Sequence, residues 1–236
     1  MPRPEKLSGV ERVLATTQRQ LPRQLFVLAG PSGVGKYTIT TRLLENHPAM
    51  HRVTTFTTRP PRPEEIEGDQ YHFISREEFR RKSEAGELLE PAGQDVYGEG
   101  HLYSMPANLM TDVPEGKHLI IAEVDINGSA LLKRLYPDCI TIFVTAPPAE
   151  LLARIRQRDG EHMDAESLSK RLAMAHEHIR AAKNFDYIVF NEDDLDSTMA
   201  AVEAIVTAER RRVRPGVALE AMIPDEEFDD VLEGLS

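Results

Sequence analysis

Seven consecutive residues, Gly30-Pro31-Ser32-Gly33-Val34-Gly35-Lys36, carry the sharpest chemical signal in this sequence. Three glycines let backbone N–H groups turn inward on an anion, a following helix adds the positive end of its dipole, and the lysine reaches the outer phosphates of a nucleotide. The alternative is an ordinary glycine-rich turn between a strand and a helix. The apolar run before the loop and the helical pattern after it favour the phosphate cradle. The next residue in such loops is Ser or Thr, whose hydroxyl ligates Mg²⁺. Here it is Tyr37, with Thr38 one place on. A phenol on a long rigid arm does not replace a β-hydroxyl. Either waters or Thr38 complete a metal shell, or catalysis is impaired, or Tyr37 packs elsewhere and carboxylates place the metal.

Other reactive side chains offer less. His176 and His178 are two apart on a helical pattern and diverge, so the eight histidines suggest no metal constellation. Ser32 has no His/Asp partner legible in the sequence, which argues against a covalent nucleophile. Cys139, the single cysteine, lies in a Val/Ile-rich run and reads as core. One cysteine excludes an internal disulfide framework or a Cys-rich zinc site and suits a reducing compartment.

The elements that must position this loop follow from periodicity. Apolar runs at 25–29, 118–124, 139–146 and 187–191 read as buried strands, and residues 36–46, 127–135, 148–158 and 164–183 as helices. Leu195, Met199, Val202 and Val206 repeat at helical spacing in a last one. Strands alternating with helices predict a parallel sheet covered on both faces. Residues 52–106 break the pattern. Short alternating segments at 53–57 and 70–74, separated by the turn Arg59-Pro60-Pro61-Arg62-Pro63, suggest an inserted mixed lobe. Within it, Ser75 precedes Glu78 by three, a capping box that opens a helix through Ala85, where Gly86 can stop it.

With these elements in place, a set of motifs in fixed order resembles the guanylate kinase family over residues 25–211. After the phosphate loop come Thr57-Thr58-Arg59-Pro60-Pro61-Arg62, Gly68-x-x-Tyr71-His72-Phe73 and Glu87-Leu88-Leu89-Glu90. Glu123-Val124-Asp125-Ile126-Asn127-Gly128, Arg154-x-x-x-Arg158, Arg171-Leu172 and Asp186-Tyr187-Ile188-Val189-Phe190-Asn191 follow. The resemblance implies an α/β fold, a P-loop NTPase-type three-layer parallel sheet with an inserted mixed α/β nucleotide-monophosphate lobe and a helical lid. It divides the chain into an N-terminal extension (1–22), a kinase-like domain (23–212) and an acidic tail (213–236). Within the domain the core spans 23–52 and 107–212, the GMP-binding lobe 53–106 and the lid about 154–173.

The resemblance also implies an activity, direct in-line transfer of the γ-phosphoryl of ATP to GMP or dGMP with Mg²⁺, and a set of roles. Gly30, Pro31, Ser32, Gly33, Val34, Gly35, Lys36, Tyr37, Thr38 and Asn191 would hold ATP. Thr55, Arg59, Arg62, Tyr71, Glu90, Tyr103, Ser104 and Asp125 would hold GMP. Lys36, Arg59, Arg154, Arg158 and Arg171 would act on the transferring group, and Glu123 and Asp125 would orient the water shell of the metal. Elementary chemistry supports several of these. Two prolines stiffen the turn between Arg59 and Arg62, so two guanidinium forks can converge on one dianionic phosphate at low entropic cost. Guanine offers N–H donors on its Watson–Crick edge, which suits carboxylate acceptors such as Glu90 and Asp125 and disfavours adenine. Glu90 can also be read as a surface carboxylate, and Asp125 as a strand-end carboxylate near the metal. Aligning Tyr103-Ser104-Met105 with the family's Tyr-Gly-Ser/Thr element puts Met105 where a hydroxyl is expected, and Tyr97-Gly98-Glu99 is a rival alignment. Two other readings stand beside the kinase: a non-catalytic binding module of guanylate kinase type, and a kinase of another phosphorylated acceptor, a ribose bisphosphate or a modified purine nucleotide.

Composition bounds the rest. The 236 residues, 41% hydrophobic and 28% charged, can bury a core without disulfide or metal. The formal charge of −11 argues against nucleic-acid or anionic-membrane partners, although seven of the acids lie in residues 219–236, leaving −4 elsewhere. No apolar run approaches the roughly 20 residues of a membrane span, and the first residues lack the apolar stretch of a secretory signal, so the expected location is cytoplasmic.

Overall fold

The computed structural model describes residues 23–89, 100–159, 173, 176–191 and 194–212, with Arg158 and Asp159 by backbone alone. Five strands form one parallel sheet: β1 (Gln24–Ala29), β2 (Met50–Val53), β6 (Leu119–Val124), β7 (Ile140–Thr145) and β8 (Tyr187–Phe190), in the order β2-β6-β1-β7-β8. All six residues of β1 and all six of β7 are buried, the signature of strands covered on both faces. Their alternate side chains feed two cores. Phe26, Leu28, Ile142 and Val144 join Ile39 and Leu43 of α1 (Lys36–Asn46) and Val202 and Val206 of α5 (Leu195–Arg210) on one face. Leu25, Val27, Ile120 and Ala122 meet Leu132 of α3 (Ile126–Leu135) and Leu109 on the other. Crossovers in opposite directions, from β1 out to β2 and from β6 across to β7, place α1 and α3 on opposite faces by the right-handed rule. The result is the three-layer α/β architecture that the motifs imply.

The remaining strands, β3 (Thr55–Thr57), β4 (Tyr71–Phe73) and β5 (Tyr103–Ser104), make a separate sheet in the order β4-β3-β5, with β3 parallel to β4 and antiparallel to β5. The segment expected as one alternating unit at 53–57 is therefore two. Arg52 and Val53 are both buried, as in an inner strand, whereas Thr55-Phe56-Thr57 alternates, and Thr54 is the single residue between the two sheets. The capped helix is α2 (Arg76–Glu84): the Ser75 hydroxyl accepts from the Glu78 N–H at 3.1 Å, and Gly86 just beyond Ala85 has φ +71°. Phe79 is its buried anchor. Residues 148–159 form α4 (Pro148–Asp159), and 176–181 are helical. The rest of the helix expected at 164–183, the extension and the acidic tail lie outside the described residues, apart from residue 173 and the 3₁₀ turn Ala182–Asn184. Among the described residues no helix is long and apolar enough to cross a membrane.

Asp186 locks the edge of the sheet. Its Oδ2 accepts from the Thr141 N–H at 2.9 Å, the Thr141 hydroxyl at 2.8 Å and Lys133 Nζ at 2.8 Å, so β7, β8 and α3 meet on one carboxylate. Burial alone would raise its pKa, but the bonds from Lys133 and Thr141 outweigh it and hold the group below the ordinary carboxylate range. Such a group adds stability above its unfolded value of about 3.9 and loses it as pH falls through the lower folded value. Asp186→Asn is expected to lower stability at pH 7, with the gap to the native chain narrowing toward pH 3, as read by denaturant unfolding at both pH values.

Candidate active site

In an open parallel sheet the carboxyl ends of the strands face a common crevice, and chain reversals on either side of one strand open it. Here β1 is that strand, flanked by β6 and β7. Three candidate residues lie just past these ends: Gly30 after β1, Asp125 after β6 and Asn191 after β8.

The loop from Gly30 to Lys36 is held by contacts that only glycine permits. A Cβ on Gly30 would lie 2.0 Å from the Val144 carbonyl oxygen, and one on Gly35 (φ +91°) would lie 2.6 Å from Asn191 Nδ2. The Asn191 side chain ties the loop to its support. Its Nδ2 donates to the Val34 carbonyl at 2.6 Å, its Oδ1 accepts from the Thr198 hydroxyl of α5 at 3.1 Å, and its N–H donates to Thr145 at 2.7 Å. Lys36 Nζ donates to the carbonyls of Gly30 (2.7 Å) and Pro31 (3.2 Å), so the ammonium is folded over the loop. Helix α4 packs on the loop at Gly33, where a Cβ would meet Ile155 at 3.1 Å and the Arg154 Cβ at 3.8 Å. Arg154 Nη2 also donates to Glu150 at 2.9 Å, one turn back. Thr38 is exposed at the start of α1. Tyr37 turns away toward the smaller sheet, where its hydroxyl donates to Asp69 Oδ2 at 2.7 Å.

In the inserted lobe the structure gathers Arg59, Arg62, Tyr71 and Tyr103. Arg59, 7% exposed, stacks its guanidinium over Tyr71 (5.5 Å) and Phe73 (5.8 Å), and Tyr71 meets Tyr103 edge-on at 6.0 Å. Its Nη2 donates to both oxygens of Glu65 at 2.6 and 2.8 Å, while the Arg62 N–H donates to Glu65 at 2.8 Å and Arg62 Nη1 lies 3.4 Å away. Burial would push the Glu65 carboxyl up, but the Arg59 and Arg62 bonds hold it below the usual range. Glu65 thus fixes the two guanidinium groups in one cluster. Thr55 is buried at the start of β3, opposite Tyr71. Ser104 and Met105 are both buried. Met105 belongs to the core with Val53, Leu109 and Ile120 rather than to a polar pocket.

At the end of β6, burial pushes the Glu123 carboxyl up against the opposing pull of Arg52, Lys36 and Thr40. Asp125 caps α3, its Oδ1 accepting from the Gly128 N–H at 2.8 Å, while its buried Oδ2 has no hydrogen-bond partner among the described residues. These are oxygen donors only, which suits a hard cation held partly through water. Among the described residues no three His, Cys, Asp or Glu side chains form a cage.

Glu90 and Arg171 lie outside the described residues, as does the side chain of Arg158. Three residues at the site carried no expectation, Glu65, Arg52 and Asp69, and His178 carried none beyond diverging from His176. Glu65 follows Arg62 by three, a local signal. The others are set by distant packing. His178 is 6% exposed with Nδ1 unpartnered among the described residues, and burial lowers its pKa while Asp125 and Lys36 pull in opposite directions. His176 is exposed, so the two histidines do diverge.

Comparisons with known proteins converge. The family pattern described as Guanylate kinase matches residues 22–209. Guanylate kinase from Symbiobacterium thermophilum is 41% identical over 197 residues, covering 83% of this chain and 90% of that one. Guanylate kinase from Thermosynechococcus vestitus is 38% identical, with 81% and 97% covered. The crystal structure of guanylate kinase from Anaplasma phagocytophilum superimposes with a TM-score of 0.65 at 26% identity, over 87% of this chain and 95% of its own.

The Gly35–Asn191 contact makes a direct prediction. Gly35→Ala places a Cβ at positive φ and against Asn191, and is expected to cost about 2–3 kcal/mol. Asn191→Ala removes the obstacle and two hydrogen bonds, so the double variant should lose less than the sum of the two single losses in denaturant unfolding.

Proposed function

The chain belongs to the guanylate kinase family, and from that premise we propose how its residues transfer the γ-phosphoryl group of ATP to GMP or dGMP. The observation that carries the reading is the Glu65-aligned pair Arg59 and Arg62 with its aromatic collar, in a chain that also holds a glycine-rich phosphate loop.

The loop amides and Lys36 bind the donor phosphates. Lys36 exchanges the Gly30 and Pro31 carbonyls, its partners here, for phosphate oxygens of ATP. Arg59 and Arg62 grip the dianionic acceptor phosphate as two forks, with Tyr71 and Tyr103 adding neutral hydroxyl groups. Glu65 orients the forks before the acceptor arrives, so less ordering entropy is lost on binding. Glu90, Asp125, Thr55 and Ser104 read the guanine, and the Oδ2 of Asp125, without a hydrogen-bond partner among the described residues, is an acceptor suited to a guanine N–H. Mg²⁺, held by the donor phosphates and through water by Glu123 and Asp125, would neutralise phosphate charge. Arg154, Arg158 and Arg171 stabilise charge spreading over the transferring group. Attack is direct, with the acceptor phosphate oxygen as nucleophile, and closure of lobe and lid excludes water that would hydrolyse ATP. Asn191 serves the donor site through the loop it clamps and, in this reading, borders the adenine. We infer a cytoplasmic location, where both nucleotides are available.

ADP formation from ATP and Mg²⁺ should occur with GMP and dGMP and stay at the acceptor-free background with AMP, UMP and CMP. Arg59→Ala should lower kcat/KM for GMP by at least about 100-fold, since two charge-assisted bonds are lost. Full activity in that variant would overturn the assignment.

A further inference from the structure

Tyr37 breaks the phosphate-loop motif at the place of the metal-binding hydroxyl, and its side chain is used elsewhere. Its hydroxyl donates to Asp69 Oδ2 at 2.7 Å, and its ring lies under the guanidinium of Arg52, 4.7 Å from the centroid. Arg52 Nη1 donates to the other Asp69 oxygen at 2.6 Å, its Nη2 to Thr41 Oγ1 of α1 at 2.9 Å, and its Nε lies 3.6 Å from Glu123. Both Asp69 oxygens are thereby taken by the core of the protein. Asp69 itself belongs to the lobe. It sits in the turn that leads into β4, where its N–H donates to Ile66, the Gly68 N–H donates to Tyr71 and the Thr54 hydroxyl donates to the Gly68 carbonyl. Two residues on is Tyr71, whose ring packs on Arg59.

We propose that Tyr37 is a positioning residue for the acceptor: together with Arg52 it pins the Asp69 turn of the lobe to the phosphate-loop helix and so holds Tyr71 and the arginine cluster in place for GMP. Chemistry explains the residue type. A serine or threonine hydroxyl sits one bond from Cβ and lacks the reach to Asp69. The phenol spans the gap, and its ring face supports the Arg52 guanidinium. The position thus serves the acceptor, and the donor's metal shell does without its hydroxyl. The inference deepens the acceptor assignment above and rests on it.

The experiment pairs a ligand readout with one that needs no ligand. In calorimetric titration of GMP into the nucleotide-free protein, Tyr37→Phe is expected to weaken binding about 3- to 10-fold, as loss of one hydrogen bond would. The KM for ATP and the Mg²⁺ dependence of the rate should move by less than about twofold. Tyr37→Ser should weaken GMP at least as much, despite restoring the usual hydroxyl. In the free protein, amide hydrogen exchange should speed up at 66–71 in Tyr37→Phe and stay unchanged at 30–36. A shift in ATP KM or Mg²⁺ dependence with GMP affinity intact would overturn the proposal, as would unchanged exchange at 66–71. Failure of the native chain to bind GMP would instead strike the acceptor assignment, since the exchange measurement judges the tether independently.

Discussion

Where β1 ends, the backbone passes so close to β7 that a single methyl group on Gly30 would overlap the Val144 carbonyl. That closeness is what brings the loop amides, the start of α1 and the ends of β6 and β8 to one edge of the sheet. Two further constraints keep the loop from relaxing. Asn191 holds the Val34 carbonyl from one side, backed by Thr198 of α5, and α4 presses on Gly33 from another. The loop is therefore shaped by three separate elements before any ligand arrives. Preorganisation of this kind costs folding stability and returns it as binding and catalysis.

The inserted lobe solves a different problem. Two guanidinium groups held near each other repel, and each would otherwise be mobile. Glu65 answers both difficulties at once by accepting from Arg59 through both oxygens and from the Arg62 backbone. The prolines at 60, 61 and 63 limit the turn's other conformations. Arg59 gains a second support from the rings of Tyr71 and Phe73. A carboxylate inside the proposed anion site would weaken it if unpaired, yet here it is paired with both arginines and holds them in a fixed frame.

Much of this is legible in the sequence alone. Apolar runs such as Leu25 to Ala29 are strands because a doubly covered strand has no polar face, and α1 begins at Lys36 as the loop motif requires. Ser75 and Gly86 bound α2 through local chemistry that spacing encodes. The break at Thr54 was missed because alternation over three residues cannot be told from the end of a buried strand. Arg52 was unreadable for another reason. An arginine in a strand looks like an edge residue, and its burial depends on Asp69, Thr41 and Glu123 arriving from three other segments. Asn191 pointed to the donor site through its family motif, but its grip on the phosphate loop needed the fold. Tyr37 could be recognised as a departure from the motif, while the partner that explains it lies thirty-two residues away in a turn of the inserted lobe.

The single cysteine has a use of its own. Cys139 is buried beside the sheet, and burial pushes its thiol up to about 11, against the pull of Lys133. At neutral pH almost none of it is thiolate, the form that alkylating reagents and oxidants attack. The native chain thus offers a nearly silent background for thiol chemistry. A cysteine introduced on the exposed surface of the inserted lobe would react first, so probes for distance or fluorescence can be attached at one chosen point without removing a native side chain from the core.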